Sequence, residues 1–132
     1  MRIGVDLTEV ARIARIAGHP AGRRLAFTDA EIAHADTLGE PRRLEFLAGR
    51  FCAKEAVAKA LGHGLGQGLV WRDIEVLPGP LGAPQVRLGG GASALAERAG
   101  VERIDLSLSH SGGFVVGMAI ILSRPGAGDP EF

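Results

Sequence analysis

The chain has 132 residues, 46% of them hydrophobic and 23% charged, with 15 basic and 15 acidic side chains that cancel to a formal net charge of zero. That length predicts one domain, the composition a folded globule, and the charge balance excludes binding to nucleic acid through global basicity. A single cysteine, Cys52, excludes an internal disulfide and a cysteine-based zinc site, and no apolar run approaches the ~20 residues that cross a membrane. The N-terminus lacks the charged region and apolar run of a signal peptide, so the expected location is the cytoplasm.

Arg2 to Leu7 predicts a strand, with Ile3, Val5 and Leu7 alternating with Gly4 and Asp6. Thr8 is placed to cap the following helix, which carries Val10, Ile13, Ala14 and Ala17 on one face and Arg12 and Arg15 off it. Gly18-His19-Pro20 ends that helix. No acid occurs between Glu9 and Asp29, while Arg12, Arg15, Arg23 and Arg24 fall in the interval. This basic patch is either a solvated helix face or a dock for an acidic partner. A short helical piece around Arg23 to Phe27 precedes Thr28-Asp29-Ala30-Glu31, which fits a capping box and opens another helix.

Pro41 suits the first turn of a long helix that runs to Leu61. Leu44, Leu47, Ala48, Phe51 and Glu55 share helical spacing, and Phe46, Ala53, Val57, Ala60 and Leu61 cover other faces, so this helix is expected to be buried. Gly62 to Gly68 is a glycine-rich loop. Asp73 to Leu77 and Gln85 to Leu88 predict strands joined by a Pro/Gly turn, and Ala92 to Ala99 a helix. Ile104 to Ser109 and Phe114 to Leu122 predict a hairpin around Ser111-Gly112-Gly113. The last strand is apolar on both faces, which places it centrally or at an interface. Residues 1–122 are expected to form one domain and 123–132 a flexible tail. The class is α+β, a mostly antiparallel sheet packed against a long buried helix.

Of the basic residues, 13 are Arg and only Lys54 and Lys59 are Lys. Lysine supplies a compact point charge where arginine supplies a planar fork. A carboxylate on a buried helix must be paired or bind a cation. For Glu55 the plain alternative is an ion pair with Lys59, four residues on. Asp6 could cap the next helix. His110 shares strand parity with Ile104, Leu106 and Leu108 and could be a hydrogen-bonded core histidine. Taken together, Asp6 and Glu55 are two carboxylates from different elements, which suit Mg2+, a hard cation that binds one or two carboxylates and substrate phosphates. Lys59, Arg50 and the glycine loop would add cations and backbone N–H groups for phosphate, the apparatus of phosphoryl transfer. The loop follows a helix, so it is not a P-loop.

Gly4-Val5-Asp6-Leu7, the run from Phe46 to Ala56, Lys59-Ala60-Leu61-Gly62 and Ser107-Leu108-Ser109-His110-Ser111 resemble the holo-[acyl-carrier-protein] synthases, the short-chain 4'-phosphopantetheinyl transferases. The resemblance spans Ile3 to about Leu122. It implies an enzyme that moves the phosphopantetheine arm of coenzyme A onto a serine of apo acyl carrier protein and releases adenosine 3',5'-bisphosphate. By the same resemblance Asp6 and Glu55 match the Mg2+ ligands and Lys59 the lysine on the pyrophosphate. Arg50 and His110 match residues around the nucleotide and its 3'-phosphate, Gly62 and Gly64 the loop against the coenzyme, and Pro84 the proline near adenine. Arg12, with Arg15 beside it, matches the basic helix that meets the carrier's acidic helix. The family is trimeric, with each site built between two subunits. Cys52 stands where the family usually has alanine. Lys54 receives no role and is expected to face solvent or the partner. The alternative is a carrier- or phosphate-binding module of the same fold without chemistry.

Overall fold

The computed structural model describes residues 1–65 and 68–127. The elements run β1 (Arg2–Glu9), α1 (Val10–Ala17), α2 (Pro20–Ala26), α3 (Asp29–Ala35), α4 (Arg42–Leu61), β2 (Ile74–Pro78), β3 (Pro84–Leu88), α5 (Gly90–Arg98), β4 (Val101–Ser111) and β5 (Phe114–Ser123), with short 3-10 turns at Trp71–Asp73 and Pro80–Gly82. The expected α+β class holds. All strand pairs in the two sheets are antiparallel, but there are two sheets rather than one: three strands in the order β1-β5-β4, and a separate β2-β3 hairpin. The doubly apolar β5 is the central strand, as its composition required.

Helix α4 is the axis of the molecule. Leu47, Phe51, Ala53, Ala56, Val57, Ala60 and Leu61 are all buried. One side of α4 packs with Ile74, Val76, Ala92, Ala119 and Ile121. The other side packs with Ile13, Ala17, Phe27, Ala35 and Val115 beneath α1 to α3. Each large side chain removed from water in this way contributes roughly 1.5–3 kcal/mol. Gly62 ends the helix in the left-handed conformation, φ 83°, which glycine adopts without steric cost.

The contact between β1 and α4 depends on small residues. A Cβ on Gly4 would collide with the Ala56 carbonyl and the Ala60 amide, so strand and helix backbones meet directly. Gly117 of β5, paired with Asp6, is the second close approach: a Cβ there would come within 3.1 Å of Cys52 Sγ. The strand therefore turns Gly4, Asp6 and Thr8 toward α4, and Ile3, Val5 and Leu7 outward. Across the sheet these three pair with Ile120, Met118 and Val116, which makes a continuous exposed apolar face.

Two local expectations are corrected and a third holds. Thr8 does not cap α1; Glu9 holds the N-cap position without a side-chain bond, and buried Thr8 bonds Asp6 instead. Helix α2 begins at Pro20, not Arg23, with proline in its first turn. The predicted capping box of α3 is present, the Thr28 hydroxyl accepting from Glu31 N and Glu31 Oε1 from Thr28 N. At the C-terminus, Arg124 N donates to the Gly100 carbonyl at 2.8 Å, so the chain just past β5 folds back on the domain. The rest of the expected tail, residues 128–132, lies outside the described residues.

Candidate active site

Because Gly4 seats β1 on α4, Asp6 two residues later faces the same helix. There it meets Lys59, whose Nζ donates to Asp6 Oδ1 at 3.1 Å and to the Val5 carbonyl at 3.1 Å. Thr8 Oγ1 donates to the other Asp6 oxygen at 2.7 Å. Lysine 59 thus pairs with the strand carboxylate, rather than in the plain Glu55 pair weighed from spacing. Its side chain is 52% exposed and that of Asp6 15%, so the pair is open on one side.

Glu55, one turn before Lys59, is half-buried. Its Oε1 accepts from Trp71 Nε1 at 3.4 Å. Burial raises the Glu55 pKa, and the nearby negative charge of Asp6 raises it further; the Trp71 N–H, Lys59 and Arg12 act in the opposite sense. Asp6, Glu55 and Lys59 therefore form one electrostatic cluster at the β1–α4 contact. Cys52 lies behind it, its thiol on the Asp6 and Val115 carbonyls; burial pushes the thiol up to about 11, so it packs as a small hydrophobe.

Among the described residues, no group of three or more His, Cys, Asp or Glu side chains is arranged to hold a metal. The donor set on offer is the oxygen pair of Asp6 and Glu55. It fits a hard divalent cation that completes its shell with water and phosphate oxygens. The Glu55 pKa is raised chiefly by burial, with a smaller contribution in the same direction from the charge of Asp6.

Arg50 does not join this cluster. It lies five residues before Glu55, about 140° around the helix axis, and lines a different cavity of about 380 Å3 with His34, Arg42, Phe46, Gly49 and His110. Its guanidinium sits 4.4 Å over the Phe46 ring. Burial lowers its pKa, opposed by Glu31, and its buried Nε has no hydrogen-bond partner among the described residues. His110 stands beside Gly49, at the end of the apolar face that strand parity assigned to it. Asp6, Glu55 and Lys59 do not line this cavity.

Gly62 caps the helix three residues after Lys59, with exposed Gly64 beyond it; Gly66 and Gln67 of the loop lie outside the described residues. Pro84 is elsewhere, in a cavity of about 610 Å3 between the β2–β3 hairpin and β4, with Gln85, Arg87 and Asp105. Arg12 and Arg15 rim a further cavity of about 440 Å3 whose apolar walls include Ile16, Leu25, Phe51 and Trp71. The Arg12 guanidinium lies 5.6 Å over the Phe51 ring.

The family model of the 4'-phosphopantetheinyl transferase superfamily matches residues 2–119. The chain belongs to that superfamily. It is 46% identical over 121 residues to the holo-[acyl-carrier-protein] synthase of Desulforudis audaxviator, covering 89% of each chain. It is 43% identical over 123 residues to that of Natranaerobius thermophilus, covering 92% of this chain and 96% of the relative. Among solved structures it is similar to the holo-[acyl-carrier-protein] synthase of Neisseria meningitidis, with a TM-score of 0.82, 31% identity, and 92% of this chain and 98% of that one covered. It is also similar to the Bacillus anthracis synthase in complex with CoA (3',5'-ADP), with a TM-score of 0.78, 32% identity, and 93% and 96% covered.

Within this phosphopantetheinyl transferase fold, several residues near the candidate site escaped the sequence reading. Thr8 had a usable signal, since residues i and i+2 of a strand share a face. Trp71 had none, because it approaches Glu55 from a turn after the glycine loop. Lys54 was expected at the surface and is fully buried: its Nζ meets Glu31 Oε1 at 2.7 Å, the Ile74 carbonyl at 2.6 Å and the Trp71 carbonyl at 2.9 Å. Burial lowers the Lys54 pKa and Glu31 opposes this.

Proposed function

We propose that Asp6, Glu55 and Lys59 form the reaction centre of a holo-[acyl-carrier-protein] synthase, a Mg2+-dependent enzyme that transfers the 4'-phosphopantetheine arm of coenzyme A to a serine of apo acyl carrier protein and releases adenosine 3',5'-bisphosphate. Membership of the transferase superfamily and full-length similarity to enzymes of that name support the activity. The single observation that carries the site is the meeting of a strand carboxylate, a helix carboxylate and a lysine at the glycine-seated β1–α4 contact.

Asp6 and Glu55 would hold the Mg2+. When bound, that ion offsets the charge of the pyrophosphate oxygens. Lys59, half-exposed and fixed by Asp6 and the Val5 carbonyl, presents its remaining donor to the same phosphates. Thr8 keeps the Asp6 carboxylate in its rotamer. The carrier serine attacks the phosphorus that bears pantetheine, and the nucleotide leaves with the bridging oxygen. Gly62 and Gly64 lie against the coenzyme, and Pro84 near its adenine.

Arg50 and His110 are assigned to the nucleotide 3'-phosphate. Their cavity excludes the Asp6 cluster, so one chain offers two half-sites. The exposed face of Ile3, Val5, Leu7, Val116 and Met118 supplies the surface through which a second copy would complete each site. With the subunit number that the family resemblance implies, we propose a homotrimer with sites between subunits. The cavity rimmed by Arg12 and Arg15 has an apolar floor and a basic rim, which suits an acidic amphipathic helix of the carrier. No helix among the described residues is long and apolar enough to cross a membrane, and with a soluble coenzyme and carrier as substrates we place the enzyme in the cytoplasm.

The test is incubation with coenzyme A, Mg2+ and an apo carrier, read by intact mass. A gain of one phosphopantetheine arm, with adenosine 3',5'-bisphosphate released, is expected. Carrier binding without mass gain would make the chain a non-catalytic module.

A further inference from the structure

Trp71 is the only tryptophan in the chain, and the mechanism above gives it no part. It touches both sides of the proposed chemistry. Its indole Nε1 donates to Glu55 Oε1, and its ring forms a wall of the basic-rimmed cavity.

Its placement is unusually firm for a residue in a turn. The Trp71 carbonyl accepts from buried Lys54 at 2.9 Å, and Lys54 is itself fixed by Glu31 and the Ile74 carbonyl. The indole stacks against Phe51, ring centroids 6.0 Å apart and planes 23° from parallel. The next residue, Arg72, donates to Asp29 at 2.8 Å and to the Arg24 carbonyl at 3.2 Å. A turn held at three points orders its side chain before any ligand arrives.

We propose that Trp71 is a positioning residue for the metal-binding carboxylate: its indole N–H engages one oxygen of Glu55 and so sets the orientation in which the other is offered to the cation. This rests on the Mg2+ assignment made above. The bond is long at 3.4 Å, so its restraint on the carboxylate is weak. Outer contacts of this kind commonly change metal affinity by 10- to 100-fold, and the length of this one places the expected effect near about tenfold.

Trp71→Phe keeps a smaller aromatic ring at the wall and removes the N–H, and the cation titration reads the loss of the N–H with no carrier present. The direct readout is the electron-spin signal of free Mn2+ in a titration of wild type, Trp71→Phe and Glu55→Gln, with coenzyme A present and carrier absent so that nothing turns over. We expect Trp71→Phe to bind Mn2+ about tenfold more weakly and Glu55→Gln to lose tight binding. Wild-type affinity in Trp71→Phe beside loss in Glu55→Gln overturns this inference alone. Wild-type affinity in both variants overturns the Mg2+ assignment with it. A measurement on the unaltered protein stands beside these: the emission of its sole indole should shift as Mg2+ is added with coenzyme A, and an unmoved spectrum at saturation counts against the role.

Discussion

Lys54 and Lys59 lie five residues apart on one helix, and each pairs with a carboxylate brought from elsewhere in the chain, yet they have opposite characters. Lys54 is fully buried, and its three donors meet three acceptors; the oxygens of its partner Glu31 also take the Thr28 and Val76 amides. Nothing in that network is left to bind anything. Lys59 is half-exposed, Asp6 and the Val5 carbonyl account for two of its donors, and Glu55, one turn before it, has its pKa raised by burial. The same pair of charges is scaffold where its hydrogen bonds close, and a candidate binding site where they do not.

Breaking the open cluster should have the largest effect. Asp6→Ala and Glu55→Ala are each expected to lower kcat on the order of a thousandfold, about 4 kcal/mol of barrier, with an unchanged circular dichroism spectrum. Near-wild-type turnover in either would remove that residue from the metal site. Breaking the closed network should cost stability instead. Lys54→Met leaves Glu31 buried without its cation and is expected to destabilise the fold by about 3–5 kcal/mol in urea denaturation. A loss below about 1 kcal/mol would mean that Glu31 finds another partner.

A finer contrast comes from pH. The folded chain raises the Glu55 pKa, through burial first and Asp6 second, so folding favours the protonated acid. That contribution is present at low pH and is lost as pH rises through the folded-state pKa. Glu55→Gln mimics the protonated form. Without metal it should melt above wild type at neutral pH, and the two curves should converge as the solution is acidified. A constant difference across that range would remove Glu55 ionisation as its cause. The smallest expected effect is on docking. Arg15→Glu should raise the Michaelis constant for the carrier about tenfold and leave that for coenzyme A in place. Arg15 is the cleaner choice, since Arg12 and not Arg15 acts on the charge of Glu55. Equal rises for both substrates would dismiss this surface as the dock.

The helix half of the candidate site was legible in the sequence because its signals are local. Glu55 and Lys59 sit one turn apart on a helix whose burial follows from its own residues, whereas the close approach at Gly4 that carries Asp6 emerged only in the structure. The direction of β1 was not legible. Alternation assigns Ile3, Val5 and Leu7 to one face and Asp6 to the other, but the same period-two pattern fits either face turned to the core. The small surface of α4 decides it, and that surface lies some fifty residues away in sequence. Lys54 failed for the same reason: its partner Glu31 belongs to a helix whose capping box explained the glutamate locally and concealed its second task. The division of Arg50 from the Glu55–Lys59 side of the helix was legible in helical angle, and was missed when Arg50 and Lys59 were counted together as cations near one loop.

Gly4 has a consequence beyond fit. The spacing between the strand aspartate and the helix glutamate is set by main chain lying on main chain, with no intervening side chain that could rotate or be trimmed. Core substitutions that loosen the packing elsewhere should therefore lower the melting point well before they alter cation affinity, and the seam itself has no slack for any residue larger than hydrogen at that position.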